Sequence, residues 1–283
     1  MPGNERLRLM FRPRDSFDQR LLDHALVVAP EPKEVRWIHD VFGNCVAVLD
    51  FVESAKNLHF ETTIRLDHTP LLAPDFRIDE AALNYPFCYE PDEAVDLSQT
   101  IERQHSDDGD EIGKWARQFL GAAGQTETGK LLMTLCYAIH ESFVYSRRTE
   151  PGTQPPLVTL QQRRGTCRDF ALFMMEAVRS LGFAARFVTG YVYVPTRDSA
   201  DVRGGGSTHA WCQVYLPGAG WVEFDPTNGI VGNRELIRVA VARHPRQAIP
   251  LSGSYSGPAS SFLGMHVEVK VTKEIEQTKV AAL

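Results

Sequence analysis

The chain has 283 residues, 43% of them hydrophobic, and a formal net charge of −6. This length and composition are typical of a globular protein with one large or two modest domains. The acidic balance argues against a nucleic-acid or membrane-surface partner, and no apolar run is long enough to span a bilayer.

The N-terminus and the cysteines indicate the compartment. Residues Met1–Arg8 lack the hydrophobic stretch of a secretory signal. The five cysteines show neither metal-ligand spacing nor a disulfide framework. We therefore expect a cytoplasmic protein with reduced thiols and with no metal or other cofactor.

The N-terminal quarter of the chain is predicted to be rich in strands. Short hydrophobic runs are divided by turn residues such as Gly43-Asn44. The predicted strands are Leu7–Phe11, Gln19–Val28, Glu34–His39, Cys45–Phe51 and Leu58–Asp67. Their spacing predicts a small antiparallel β-sandwich. We assign residues 1–105 to this domain and its connector.

A proline-rich connector and two helices follow. Thr69 to about Ser106 contains four prolines and is predicted to be irregular. Helices are predicted at Asp110–Phe119 and Glu127–Phe143. The second has an apolar face that we expect to be buried, formed by Leu131, Leu132, Leu135, Cys136 and Ile139.

The next predicted helix begins at a cysteine. Ser146–Thr159 contains three prolines and is predicted to be a loop, and the polar segment after it ends at Gly165. An amphipathic helix then runs from Cys167 to Leu181, with Cys167 on its apolar arc. A thiol in the first turn faces unpaired N–H groups and the positive end of the helix dipole, which favour a thiolate. Taken alone, this residue is equally consistent with a buried structural cysteine.

The segment after this helix predicts antiparallel strands. Ala184–Val194 reads as a strand, and Arg197–Ser207 reads as a mobile loop because of its three consecutive glycines. Thr208–Leu216 and Trp221–Asp225 alternate around the turn Pro217–Gly220 and predict a hairpin. Farther on, Met265–Lys273 alternates and predicts a last strand in a C-terminal region of residues 251–283.

The hairpin places a histidine and an aspartate on one face. A turn centred at Gly218 puts Trp211 opposite Asp225, and His209 is then one diagonal step away, roughly 7–8 Å at the backbone. This inference requires a hairpin without a β-bulge. Cys167, His209 and Asp225 thus form a predicted nucleophile, base and orienting carboxylate, as in cysteine-dependent acyl transfer.

Four motifs resemble the transglutaminase-like superfamily, in particular the bacterial transglutaminase-like proteins described as cysteine proteases. They are Gly165–Ala171, Gly182–Tyr191, Thr208–Trp211 and Gly220–Asn228. The resemblance covers about residues 125–250. It implies an α+β, papain-like core in residues 106–250, with the nucleophile helix packed on an antiparallel sheet. It also implies Cys167 as nucleophile, His209 as base and Asp225 as orienter. The calcium dependence of animal members does not carry over, since the chain lacks an EF-hand-type Asp-x-Asp-x-Asp-Gly loop.

The predicted reaction is acyl transfer or hydrolysis at a carboxamide or peptide bond, through a thioester on Cys167. The backbone N–H of Cys167 is one expected oxyanion donor. Tyr145 or Gln161 is the candidate second donor, and Trp211 is either a wall of the cleft or hairpin packing. The expected partner is a protein or peptide substrate with a glutaminyl or peptide amide. Four arginines, Arg147-Arg148 and Arg163-Arg164, either favour acidic substrates or form a solvated surface.

Three outcomes remain open at this level. Resolution of the thioester by an amine gives a transglutaminase, and resolution by water gives a protease, amidase or deamidase. The same triad also serves an acyltransferase that takes its acyl group from a thioester donor. The third outcome is a non-catalytic binding or structural module on the same fold.

Overall fold

The computed structural model describes residues 5–69, 77–122, 124–148, 150–193 and 206–274. The N-terminal part consists of antiparallel strands, as predicted. These are β1 (Glu5–Leu9), β2 (Gln19–Ala29), β3 (Glu34–His39), β4 (Cys45–Phe51) and β5 (His59–His68). β2 pairs with β5 in one sheet, and β1, β4 and β3 lie in that order in a second sheet.

The two N-terminal sheets enclose an apolar layer. Leu9, Leu49 and Phe51 are buried on one sheet, and Val28 and Phe60 of the other sheet pack against them. Successive side chains of a strand point to opposite faces, so the other face of β4 is available for a second contact. Val46 and Val48 use that face to join the core of the rest of the molecule.

The segment predicted to be an irregular connector contains a helix. After the short strand β6 (Asn84–Tyr85), helix α1 covers Pro91–Ile101. Pro91 occupies the start of the helix, where its missing N–H removes no hydrogen bond, so it begins this helix rather than breaking the structure. The connector is also attached to the core, because the Tyr89 hydroxyl donates to the carbonyl of Tyr215 at 3.0 Å.

The elements between α1 and the last strand form the α+β core. These are α2 (Glu111–Arg117), β7 (Thr126–Glu127), α3 (Thr128–Ser142), β8 (Val144–Tyr145), α4 (Pro156–Gln162), β9 (Arg164–Gly165), α5 (Cys167–Ser180), β10 (Ala185–Val192), β11 (His209–Leu216), β12 (Gly220–Asp225), β13 (Ile230–Val231) and β14 (Leu236–Ala242). Five of them form an antiparallel sheet in the order β13, β12, β11, β10, β14. The last strand, β15 (Leu251–Gly253), pairs with β1 at the edge of the N-terminal sheet. The predicted α+β architecture is confirmed, and helix α4 lies where the sequence had indicated loop.

Helix α5 is buried on all sides. Its apolar arc packs on the face of the sheet that carries Ala210, Cys212 and Phe224. Its polar arc is also covered, because Glu176 and Arg179 form a buried ion pair at 2.9 Å. Arg179 further donates to the carbonyls of Thr100, Ala185 and Arg243, and Glu176 accepts from the backbone of Gln104 and His105. A buried charge requires such a set of partners, and here they fasten the connector to α5.

Two amides join the N-terminal sandwich to the core sheet. Asn44 donates to the carbonyl of Val241 at 2.7 Å and accepts from its N–H at 2.9 Å. Gln19 makes the same pair of bonds with Arg238, at 2.6 and 3.0 Å. Each amide side chain thus bonds with both the C=O and the N–H of one β14 residue, as the backbone of a neighbouring strand would.

The predicted C-terminal strand Met265–Lys273 is wrong. These residues belong to no ladder, and one backbone bond, from Val269 N–H to the carbonyl of Gly206, connects them to the core. Alternation makes a segment compatible with a strand, but a strand also needs an unpaired edge beside it. Instead β15 pairs with β1. The predicted glycine-rich loop at residues 197–207 lies mostly outside the described residues.

Candidate active site

Three element ends meet at the candidate site. Cys167 is the first residue of α5, His209 is the first of β11, and Asp225 is the last of β12. Nε2 of His209 donates to Oδ2 of Asp225 at 2.7 Å. Cys167 lies close enough to the same imidazole for its charge to act on it, and the buried Nδ1 of His209 has no hydrogen-bond partner among the described residues. The three residues that the sequence grouped are therefore adjacent in the structure.

The hairpin register agrees with the prediction. Cys212 pairs with Phe224 and Leu216 with Gly220, without a bulge between β11 and β12. Extending this ladder by one residue puts Trp211 opposite Asp225, so His209, Trp211 and Asp225 share a face. The irregularity in the sheet lies elsewhere, between Thr189 and Gly190 of the β10–β14 pair.

The nucleophile is held by a capped helix start. Thr166 and Asp169 form a capping box: the Thr166 hydroxyl accepts from the Asp169 N–H, and Asp169 accepts from the Thr166 N–H. Asp169 also accepts from the N–H of Gln154 at 2.8 Å and from Nε of Arg148 at 3.1 Å. A Cβ at Gly165 would lie 2.8 Å from the Asp169 Cβ, so only glycine fits before the cap. Asp169 thus positions the start of the helix, and none of its hydrogen bonds within the described residues goes to His209 or Asp225.

Trp211 lies behind the histidine rather than at the wall of a cleft. Its side chain is fully buried with Val188, Leu236 and Val241, and its ring stacks on His209 with 5.9 Å between centroids. This burial corrects the cleft-wall expectation. Hairpin packing was the alternative, and the contact restricts the plane of the imidazole. A Cβ at Gly190 would lie only 2.8 Å from the indole, so glycine makes room for it.

Asn228 is a site residue that the sequence analysis quoted in a motif but assigned no role. Its side-chain N–H group donates to Oδ2 of Asp225 at 2.8 Å and lies 3.3 Å from Nε2 of His209. The Thr227 N–H donates to the other carboxylate oxygen at 2.9 Å. His140 of α3 contacts the Thr227 carbonyl at 2.9 Å through Nδ1, which donates because a carbonyl only accepts. The signal was the turn-forming sequence Asp225–Asn228, since aspartate commonly accepts from N–H groups two residues later.

The electrostatics favour an imidazolium–carboxylate pair. Burial alone disfavours the charged imidazole, but the charge and hydrogen bond of Asp225, together with the Cys167 thiol, raise the pKa of His209 to about 10. Burial also opposes ionisation of Asp225, yet the charge of His209 and the bonds from His209, Asn228 and Thr227 lower the pKa of that carboxyl. A protonated His209 next to Cys167 stabilises a thiolate by charge.

Of the three residues, Cys167 has the largest exposed fraction in the described structure. Cys167 is 7% exposed, whereas His209 is 1% and Asp225 0% exposed. The imidazole and the carboxylate are therefore shielded from water. A low-dielectric surrounding strengthens their electrostatic interactions.

The two candidate oxyanion donors differ in position. Tyr145 pairs with Gly165 in the short parallel ladder of β8 and β9 and is partly buried. Burial, and then the negative charge of the nearby Cys167, raise the pKa of its hydroxyl. Gln161 lies exposed in the last turn of α4, and no hydrogen bond between described residues joins it to the triad. The structure thus places Tyr145 near the nucleophile, and Gln161 remains a prediction that these contacts do not test.

Comparison with known proteins agrees with this fold. The model of the transglutaminase-like superfamily matches residues 114–226, and that of the bacterial transglutaminase-like N-terminal region matches residues 3–67. A Cytophaga hutchinsonii structure described as a "Putative Cysteine Protease" superposes with a TM-score of 0.69 at 19% identity, over 90% of this chain and 82% of that one.

Two mycobacterial relatives are similar in sequence. The uncharacterized Mycobacterium leprae protein ML0607 is 38% identical over 124 residues, which are 42% of this chain and 43% of that protein. The uncharacterized Mycobacterium tuberculosis protein Rv2569c is 26% identical over 91% of this chain and 84% of its own length. Both family models fall on the parts of the chain that carry the sandwich and the triad. The chain belongs to the transglutaminase-like superfamily, with a bacterial transglutaminase-like N-terminal region before its core.

Proposed function

We propose that the protein is a cysteine-dependent enzyme that acts on a carboxamide or peptide bond through a thioester on Cys167. The observation that carries the proposal is the 2.7 Å imidazole–carboxylate bond of His209 and Asp225, with Cys167 near enough for its charge to act on the same imidazole. A nucleophile, a base and an orienting group next to one another are the parts that covalent acyl transfer needs. The substrate is a protein or peptide, and the products depend on whether water or an amine takes the acyl group.

The reaction begins at the sulfur. The Cys167 thiolate attacks the carbonyl carbon, and the electron pair of the C=O bond moves to oxygen. The N–H of Cys167, one of the unpaired donors of a helix's first turn, stabilises this oxyanion. Tyr145 is the proposed second donor. Collapse of the intermediate breaks the C–N bond, and His209 gives its proton to the leaving amine. Water or a second amine then loses a proton to His209 as it attacks the thioester, and the thiolate is released.

A reducing compartment suits this chemistry. All five cysteines are free thiols in the structure, and a disulfide on Cys167 would block the nucleophile. We therefore propose a cytoplasmic site of action. Within the described ranges, no helix has the length and apolar character needed to cross a membrane.

A labelling experiment with iodoacetamide tests the nucleophile. Cys88 is an exposed thiol of the same chain and supplies the reference rate, whereas Cys45 and Cys167 are each 7% exposed and Cys136 and Cys212 are fully buried. At neutral pH we expect Cys167 to be alkylated faster than Cys88, and His209→Ala to remove that advantage. Equal rates for the two thiols, with no effect of His209→Ala, would contradict the enzymatic function and favour a non-catalytic module.

The reaction type is tested with a glutaminyl peptide incubated with and without a primary amine. Ammonia release and peptide mass are followed together. An increase in peptide mass by that of the amine less that of the released ammonia indicates transamidation, and conversion to glutamate or peptide cleavage indicates hydrolysis. Acylation of Cys167 by an acyl thioester, with no reaction of the peptide, would instead indicate an acyltransferase.

A further inference from the structure

We propose that three exposed arginines beside the nucleophile, Arg147, Arg163 and Arg164, bind carboxylates of an acidic peptide substrate close to its reacting amide. We call these residues the arginine group. The proposal rests on the proposed function, because it names the substrate class of the same site. The sequence left this arrangement open between substrate binding and a solvated surface.

The backbone places the arginine group next to Cys167. In the parallel pair of β8 and β9, Val144 N–H donates to the Arg163 carbonyl and Ser146 N–H to the Gly165 carbonyl, each at 2.8 Å. Arg147 lies two residues after β8, Arg163 immediately precedes β9, and Arg164 is the first residue of β9. Arg164 precedes Cys167 by three residues, so their Cα atoms are at most about 11 Å apart.

Tyr145 connects the arginine group to the thiol. Its hydroxyl is close enough to both Cys167 and Arg147 for each charge to act on it: Cys167 raises and Arg147 lowers its pKa, next to the larger effect of burial. Arg147 and Cys167 therefore both lie near the Tyr145 hydroxyl. At physiological salt, charges interact over roughly 8 Å, so the arginine group acts on a substrate held at the nucleophile.

The arginine group is not used by the fold. All three side chains are exposed, and none forms an ion pair with a carboxylate of the described residues. Neighbouring arginines differ: Arg148 binds Asp169 at 3.1 Å, and Arg168 donates to the Pro245 carbonyl at 2.8 Å. Positive charges without partners, in a chain with net charge −6, form a local field opposite in sign to the whole molecule.

Arg163 occupies a backbone conformation that disfavours an arginine. It ends α4 with φ of 48° and ψ of 40°, in the left-handed region where glycine or asparagine is favoured. Non-glycine residues in this region concentrate at functional sites. The conformation of Arg163 therefore fits a side chain that binds a ligand rather than one that stabilises the fold. Carboxylates are the matching ligands, because guanidinium binds them through two parallel hydrogen bonds.

Binding to a catalytically dead protein tests the arginine group without requiring turnover. The background is Cys167→Ala, and the probes are labelled peptides that contain one glutamine flanked by glutamate, serine or lysine. We expect the acidic peptide to bind about 10-fold more tightly than the serine peptide at 50 mM salt, since three exposed ion pairs contribute modestly each. Raising the salt to 500 mM should remove most of the difference.

The variants Arg147→Gln, Arg163→Gln and Arg164→Gln, combined in one chain, should raise the Kd for the acidic peptide about 10-fold. Arg36→Gln, on the exposed face of β3, removes the same charge at a distance and should change it less than 2-fold. Equal binding of the acidic and serine peptides would overturn the proposal. So would tighter binding of a single-stranded oligonucleotide of equal charge, which would indicate a nucleic-acid partner.

Turnover separates this proposal from the proposed function. With Cys167 intact, the acidic peptide should have the higher kcat/KM, mainly through a lower KM, and the combined variant should lose that preference. If no peptide reacts but the acidic peptide still binds in a way that depends on the arginines, the proposed function is wrong and the proposed role of the arginine group is supported. If peptides react with no preference for acidic flanking residues, the proposed role of the arginine group is wrong and the proposed function is supported.

Discussion

Asp225 decides the protonation state of His209. The imidazole is buried, which by itself lowers its pKa, and the carboxylate 2.7 Å away reverses the direction. Asn228 in turn keeps the carboxylate ionised and aligned through its 2.8 Å bond. Replacing the Asp225 carboxylate by an uncharged amide of the same shape therefore isolates the electrostatic role of Asp225.

Asp225→Asn should lower the pKa of His209 from about 10, because burial remains and the larger of the two charges that oppose it, that of Asp225 rather than of Cys167, is gone. The imidazolium would then lose its proton at a lower pH, and kcat/KM should fall by about 10³-fold. The pKa is measured by NMR titration of labelled His209, and the rate by peptide turnover. Asp108→Asn on the surface is the control. An unchanged titration would show that Asp225 does not set the charge of the imidazole.

Arg163→Gly should stabilise the protein. Glycine adopts φ near 48° without the strain that arginine has there, so we expect a gain of about 1 kcal/mol in the free energy of unfolding. Arg163→Gln removes the same charge and keeps the strain, and it should leave stability unchanged. Urea denaturation compares the two variants. Equal stabilities would mean that the conformation is unstrained.

At the scale of the element, helix α5 combines a capped start with a buried polar face. The capping box of Thr166 and Asp169 defines where the helix begins, and therefore where Cys167 stands. The ion pair of Glu176 and Arg179 fastens the other end of the helix to the connector and to β10. The helix is positioned at both ends, so the thiol is positioned by an element rather than by a loop.

Thr166→Ala should cost about 1 kcal/mol in unfolding free energy through loss of the cap. It should also slow iodoacetamide labelling of Cys167, since the first turn would no longer hold its N–H groups in place. Thr166→Ser keeps a hydroxyl that accepts from the Asp169 N–H, and it should retain most of both properties. Loss of stability without a change in labelling would separate the cap from the reactivity of the thiol.

At the scale of the whole molecule, two histidines join segments distant in sequence. Nε2 of His105 in the connector and Nε2 of His244 after β14 lie 3.2 Å apart, and the rings stack. Nδ1 of His244 accepts from the Arg246 N–H, so Nε2 carries the proton and donates to His105. Glu176, Arg179, Arg243 and Arg246 are the charged groups around this pair.

Acidification should destabilise the protein through this pair. Burial, and then the neighbouring His105 and arginines, lower the pKa of His244 to about 4 from an unfolded value near 6.5. The unfolded chain takes up its proton first, so stability is lost as the pH falls from about 6.5 to about 4. The ring is half-buried, so we expect about 1 kcal/mol rather than the full value of the shift.

The measurement is the free energy of unfolding at pH 7 and pH 5. His244→Asn keeps an acceptor for the Arg246 N–H and cannot titrate, so it should reduce the loss on acidification. His59→Asn on the exposed surface of β5 is the matched control. An equal pH dependence in His244→Asn and the unaltered protein would contradict this assignment.

Short-range patterns predicted most of the elements and the triad. The strands of the sandwich, α3, α5 and the hairpin all follow from periodicity, turns and caps within about ten residues. The hairpin register followed from its turn, which connects adjacent strands and leaves little freedom in their pairing. His209 and Asp225 were therefore predictable as neighbours. Assigning Cys167 to the same site depended on the hairpin that follows it, because its position on α5 alone also fits a buried structural thiol, and the resemblance implied the same assignment.

Contacts between distant segments decided the rest. The local sequence around Trp211 and Glu176 does not distinguish a buried side chain from an exposed one. Both side chains are buried because segments distant in sequence pack over them. The tail Met265–Lys273 has the pattern of a strand, but β15 occupies the edge of β1 and leaves the tail unpaired. The local sequence thus specified which backbone shapes form and which reactive residues sit at their ends. Tertiary structure specified burial, the pKa of His209 and the partners of each charge, because these depend on which chemical groups surround a residue in space.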